Sequence, residues 1–200
     1  MRNHRITTRT LAPLAICAAL ALAAAGPVVL RSSQEQGAQA TQEHARLLTE
    51  VGHWEGTFTP IMPGMPEESF PATQVTEAVG SLWTQSRFEC EFMGAPYVGT
   101  GCMGYDTAKQ KYVGTWIDST TTSITFMEGE MDAKKNAIVM RWEASDPATG
   151  EMVPHRSETV HTKDTHTSTF YMGEGEGTKS MVIALKRVEK KKPAEAGTAR

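Results

Sequence analysis

Two hundred residues, 40% of them hydrophobic and 22% charged, make one well-cored domain and leave too little chain for two large ones. The formal net charge is −3; residues 1–25 carry Arg2, Arg5 and Arg9 without an acid, and residues 189–200 carry four basic groups against two acids, so the body between them sits near −8. Such an acidic body excludes nucleic acid as a partner, because neutralising phosphates requires a basic face.

The N-terminus reads as a secretory leader. After the three arginines, Leu11 to Ala25 is an almost unbroken apolar run, and Ala23-Ala24-Ala25 offers small residues for cleavage. This predicts a signal peptide over 1–25 and an exported protein, periplasmic or secreted. The run can be extended to Leu30, long enough for an uncleaved anchor, but Gly26-Pro27 interrupts it. Contact with a membrane is therefore expected only through a retained leader. Residues 26–42, rich in Gln, Ser, Gly and Ala, read as a flexible spacer. Thr41 to Val51 suits a short helix with Thr41 as its cap, lidding one end of the domain.

Beyond it the pattern changes to period two. Strand-like runs are expected at 51–59, 72–79, 81–92, 97–105, 111–118, 121–130, 137–145, 151–162, 165–171 and 178–188, separated by turn chemistry such as Asp106-Thr-Ala-Lys-Gln, Asp132-Ala-Lys-Lys-Asn and Gly173-Glu-Gly-Glu-Gly. In Lys111 to Asp118, Tyr112, Gly114 and Trp116 alternate with Val113, Thr115 and Ile117, which gives one aromatic face and one β-branched face. Ten strands with short links close most readily on themselves, since closure removes exposed edges. The expected fold is all-β: an antiparallel up-and-down barrel over 43–188 with a short N-terminal helix, followed by a basic tail at 189–200. Residues 61–71 contain three of the ten prolines and must be a loop; its Ile61, Met62, Met65 and Phe70 suit either a lid over a barrel mouth or packing against the outside.

Gly52-His53-Trp54 on the first strand, after a helical lead-in, resembles the lipocalin and calycin barrels. That resemblance implies structural roles for Gly52 and Trp54 at the closed end, with Arg187 from the last strand lying across the Trp54 ring. LTEVGHWEG (48–56), MPGMP (62–66), MGAPYVGTGCMGYD (93–106), KYVGTWIDS (111–119), MEGEM (127–131), DPATGE (146–151) and DTH (164–166) together resemble a bacterial domain-of-unknown-function family, number 1579, described as lipocalin-like. The resemblance implies a fold and brings no catalytic residues.

Past the leader only Cys90 and Cys102 remain. If Gly94-Ala95-Pro96 is the turn between their strands, the two share a face, which leaves a disulfide and a pair of buried thiols both open. His155, His161 and His166 with Asp164 can converge on a metal, or one of them can ligate haem, but the spacing matches no metal motif, and no metal or other cofactor is expected. Gly99-Thr-Gly-Cys-Met-Gly fits the GxGxxG string yet opens no helix, which excludes a dinucleotide site. No catalytic motif is present. The favoured reading is a non-enzymatic binder of a small hydrophobic or amphipathic ligand, with Trp83, Tyr105, Trp116, Asp118, Arg156, His166 and Tyr171 as the candidate lining. An enzyme using Asp118, His161, His166 and Tyr171 at one mouth, or a filled barrel that serves as an envelope interaction module, are the rivals.

Overall fold

The computed structural model describes residues 38–146 and 149–189, so the leader, most of the spacer and nearly all of the basic tail lie outside the described residues. Helix α1 (Gln42–Leu48) precedes ten strands: β1 (Gly52–Pro60), β2 (Phe70–Val79), β3 (Trp83–Phe92), β4 (Ala95–Asp106), β5 (Lys111–Asp118), β6 (Thr125–Asp132), β7 (Ala137–Ser145), β8 (Met152–His161), β9 (Thr165–Met172) and β10 (Thr178–Val188). Each strand pairs antiparallel with its neighbour in sequence, and β10 returns to β1 through registers such as Trp54↔Arg187. The sheet is thus a closed up-and-down barrel, as the period-two pattern predicts. Strand β6 begins at Thr125, four residues after the expected start.

Turn chemistry sets the registers. Asp106 Oδ1 accepts the backbone N–H groups of Ala108 and Lys109, and Asp132 Oδ1 does the same for Lys134 and Lys135. The two hairpins close alike, with Gln110 and Asn136 in the left-handed region. Between β3 and β4 the chain turns on two residues, Met93 (φ 53°) and Gly94 (φ 76°), a pair of positive φ values that fits a type I′ hairpin.

That two-residue turn decides between the disulfide and the free thiols that the sequence leaves open. It pairs Cys90 with Tyr97 and Cys102 with Gln85, which places the cysteines five residues apart along the ladder and on opposite faces. Cys90 points inward, Cys102 is exposed, and both are free. A three-residue turn would have kept their parity; the shorter one flips it.

Alternation fixes the inner wall. Even residues face inward on β1, β2, β3, β5, β7 and β9, and odd residues on β4, β6 and β8, as the paired registers Trp54↔Gln74, Phe88↔Gly99, Gly101↔Trp116, Met140↔Ser157 and Ser157↔Phe170 require. Two apolar clusters share the interior. One joins Leu47 of α1 with Tyr112, Ile138 and Met140; the other joins Trp54, Ala72, Phe88 and Leu185.

Candidate functional site

The barrel has two ends of different character. At the α1 end three large inner residues are sealed: Trp54, Tyr112 and Leu47 are each 1% exposed. The helix is held by the Tyr112 hydroxyl donating to the Glu43 carboxylate, and by the Thr41 backbone N–H donating to His44 Nδ1 at 3.0 Å. Burial, with the Glu43 hydrogen bond second, pushes the Tyr112 phenol well above its ordinary range. Trp54 Nε1 donates to the Glu50 carbonyl at 2.9 Å. The Arg187 guanidinium lies 4.1 Å above the Trp54 ring and donates to the carbonyls of Val51, Thr49 and Lys163. Gly52 is needed beside it, since a Cβ there would lie 2.2 Å from Arg187 Nη1.

Buried hydroxyls run through this half. Gln74 Nε2 donates to Thr76 Oγ1, which is bonded to Ser86 Oγ; across the barrel Thr159 Oγ1 meets Ser168 Oγ at 2.8 Å, and Ser168 Oγ meets His166 Nε2 at 3.1 Å. Beside Trp54 the ligand atoms of Glu50, His161 and His166 lie within 4.8 Å of one another. Burial pushes the Glu50 carboxyl up to about 7 and His166 down to about 4, the latter with help from neighbouring His161. Burial also lowers His161, against the pull of the Thr49 carbonyl and with the Arg187 charge adding to the fall. These are the described residues placed to hold a metal. A cavity of about 610 Å³, lined by Glu50, His161, Arg46, Thr159, Lys163 and Arg187 among others, opens onto them.

The opposite end is an aromatic cup. Phe58, Phe70 and Phe92 form a trio at its rim, with ring centres 5.5–6.5 Å apart and Phe92 edge-to-face with the other two. Trp116 lies flat over Gly99 and Gly101, where a Cβ at Gly99 would stand 2.1 Å from Trp116 Cζ2. Its indole N–H donates to the Tyr97 hydroxyl at 3.2 Å. Burial, offset in part by that bond and assisted by Asp118, pushes the Tyr97 phenol up to about 12. On the far wall Trp142 stacks on His155 at 19° between planes. A second cavity of about 400 Å³ reaches these two from the rim, past Arg141, Pro154, Arg156 and Gly173.

Of the lining residues expected from sequence, Tyr105, Trp116, Asp118 and His166 face inward, but Tyr105 and His166 belong to the closed end and Trp116 and Asp118 to the cup. Trp83, Arg156 and Tyr171 face outward, a correction to that lining. Trp83 covers Gly104 on the outer surface and is 41% exposed, and Arg156 lies over the Tyr171 ring at 4.0 Å while pairing with Glu158. The proposed catalytic group of Asp118, His161, His166 and Tyr171 is dispersed, because β5 ends at the cup where Asp118 sits, while the β8–β9 hairpin that carries the histidines turns at the closed end. His155, at the start of β8, is likewise a barrel length from His161 and His166, and Asp164 is an exposed turn residue. Glu50 stands with the two histidines instead. It lies in the junction between α1 and β1, where no local pattern marks it, 111 positions before His161.

The closed ten-stranded barrel, its helical lid and the Arg187–Trp54 stack define a lipocalin-like protein. The crystal structure of Rv2717c from M. tuberculosis has the same fold, with a TM-score of 0.57 over 76% of this chain and 100% of that one at 13% identity. A comparison with curated proteins gives no match. Residues 39–187 match the family described as "Protein of unknown function (DUF1579)", and the chain belongs to it.

Proposed function

We infer that this chain is an exported binding protein that holds a small hydrophobic ligand, either uncharged or with a cationic end, in the open half of its barrel. One observation carries the reading. Phe58, Phe92, Tyr97, Trp116, Trp142 and Phe170 point toward the axis of a closed barrel and yet keep accessible surface, whereas Trp54 and Tyr112, the large aromatics nearest α1 on β1 and β5, are sealed. Apolar side chains left accessible in a concave site favour an apolar occupant.

The charge pattern narrows the ligand. Arg87, Arg141 and Arg156 all face outward, and among the described residues Asp118 is the one carboxylate on the inner wall of the cup, with no lysine or arginine beside it. A bound carboxylate would meet that acid without a compensating cation; an alcohol or an ammonium would not. Exposed Met65, Met93 and Ile124 on three connections around the mouth, with Met152 at the first position of β8, suit transfer of a ligand from an apolar surface. Export rests on the arginine-led apolar leader.

Native mass spectrometry of the purified chain with 1-dodecanol, dodecylamine and dodecanoate tests the reading. The expected result is one equivalent of the alcohol or the amine, weakened by Trp116→Ala, and at least roughly tenfold weaker binding of dodecanoate. No uptake of any of the three, or uptake indifferent to Trp116, would overturn it.

A further inference from the structure

We propose that Glu50, His161 and His166 bind a divalent first-row transition-metal ion such as zinc(II) at the closed end of the barrel, on the far side of the Trp54 core from the ligand cup. Two imidazoles and one carboxylate are a common ligand set for such ions. The three come from distant parts of the chain: Glu50 from the α1–β1 junction, His161 from the last position of β8, and His166 from β9, directly across the ladder from His161. Their ligand atoms fall within 4.8 Å of one another, against the roughly 3.4 Å edges of a tetrahedral site with 2.1 Å bonds, so side-chain adjustments of about an ångström bring them onto one ion.

A second observation points to an occupant. Glu50 and His166 are each 7% exposed, and His166 Nδ1 is buried without a hydrogen-bond partner. Both His161 ring nitrogens are buried with no hydrogen bond of good geometry, although the Thr49 carbonyl is near. Buried polar atoms are normally paired, and three orphaned imidazole nitrogens beside one buried carboxyl require something between them. The other ring nitrogen of His166 is engaged by Ser168 Oγ, itself bonded to Thr159 Oγ1. That is the outer support which fixes a metal-ligating ring, with Nε2–H donating and the Nδ1 lone pair left for the ion.

The Arg187 charge opposes a cation here, and three backbone carbonyls take its hydrogen bonds while Glu50, giving up its proton as the ion binds, supplies the opposite charge. Because the 610 Å³ cavity reaches Glu50 and His161, an ion has an entry path and keeps a coordination position open to water.

The test is titration of the untagged, chelator-stripped full chain with cobalt(II), read by its visible ligand-field bands, and with zinc(II) by competition. The proposal expects one equivalent bound with the intense bands of four- or five-coordination. His161→Ala and His166→Ala should each weaken binding by at least roughly a hundredfold, Glu50→Gln should weaken it less, and His155→Ala at the other end should leave it unchanged. Should His166→Ala fail to fold, His161→Gln asks the same question, since that ring makes no well-formed hydrogen bond and its loss leaves the Ser168 chain intact. An absence of uptake would identify the space as a water site. Undiminished uptake in the His161 variants, or loss in His155→Ala, would place the metal elsewhere. Any of these overturns the proposal.

Discussion

At the α1 end, Trp54 is 1% exposed, its N–H is bonded to Glu50 and Arg187 covers its face; at the cup, Trp116 is half-buried, with two glycines beneath it and Tyr97 at its edge. Both residues face the axis of the same barrel, from β1 and β5. The difference teaches that inward alternation alone does not define a core. The helix, the buried hydroxyl chains and the Arg187 strap make one end structural; among the described residues the other end has no counterpart to them and stays accessible.

The sharpest way to break this comparison is to truncate each tryptophan. Trp54→Ala should cost about 3–5 kcal/mol in denaturant unfolding, and Trp116→Ala about half as much, since less of its surface is buried. Equal costs would mean that the cup is as much a core as the closed end.

A smaller effect is expected of Gly99→Ala. Its Cβ would stand 2.1 Å from the rigid Trp116 ring, and over-packing of this kind costs about 1–3 kcal/mol. In the Gly99→Ala/Trp116→Ala pair most of that cost should vanish, a coupling that a double-mutant cycle measures.

Met93→Asn should raise stability by about 0.5–1 kcal/mol, because asparagine accepts the left-handed conformation that Met93 holds at φ 53° ahead of Gly94. Ligand binding should not change, which separates the rim from the cup wall.

The smallest effect lies on the outer surface. Burial raises the Glu158 carboxyl, but hydrogen bonds from Lys135 and Arg156 outweigh it and hold the group below the usual carboxylate range. A carboxyl depressed in the folded state contributes stability above its unfolded value and loses it as pH falls through the folded one. Glu158→Gln should therefore be less stable than the parent by up to about 1 kcal/mol at neutral pH, with the gap closing in acid. A gap that grows in acid would reverse the assignment.

The barrel was largely legible because its signals are local. Ten alternating runs and the two Asp-led turns each declare themselves within a dozen residues, and Gly52, Trp54 and Arg187 were flagged by resemblance. What failed depended on register. The faces of Trp83, Arg156 and Tyr171, and the pairing of Cys90, follow from whether a turn holds two residues or three, and a single residue inverts the answer. Glu50 escaped for another reason: it is a lone acid between helix and strand, and only closure of the barrel carries it to His161 and His166.

The claim that the cup takes the apolar ligand and the Trp54 core does not is tested most directly by the indole N–H resonances of the four tryptophans. In a 15N-labelled chain titrated with 1-dodecanol, the signals of Trp116 and Trp142 should move together and saturate, while those of Trp54 and Trp83 stay in place. Movement of Trp54 without Trp116, or four unmoved signals at saturating alcohol, would contradict the account.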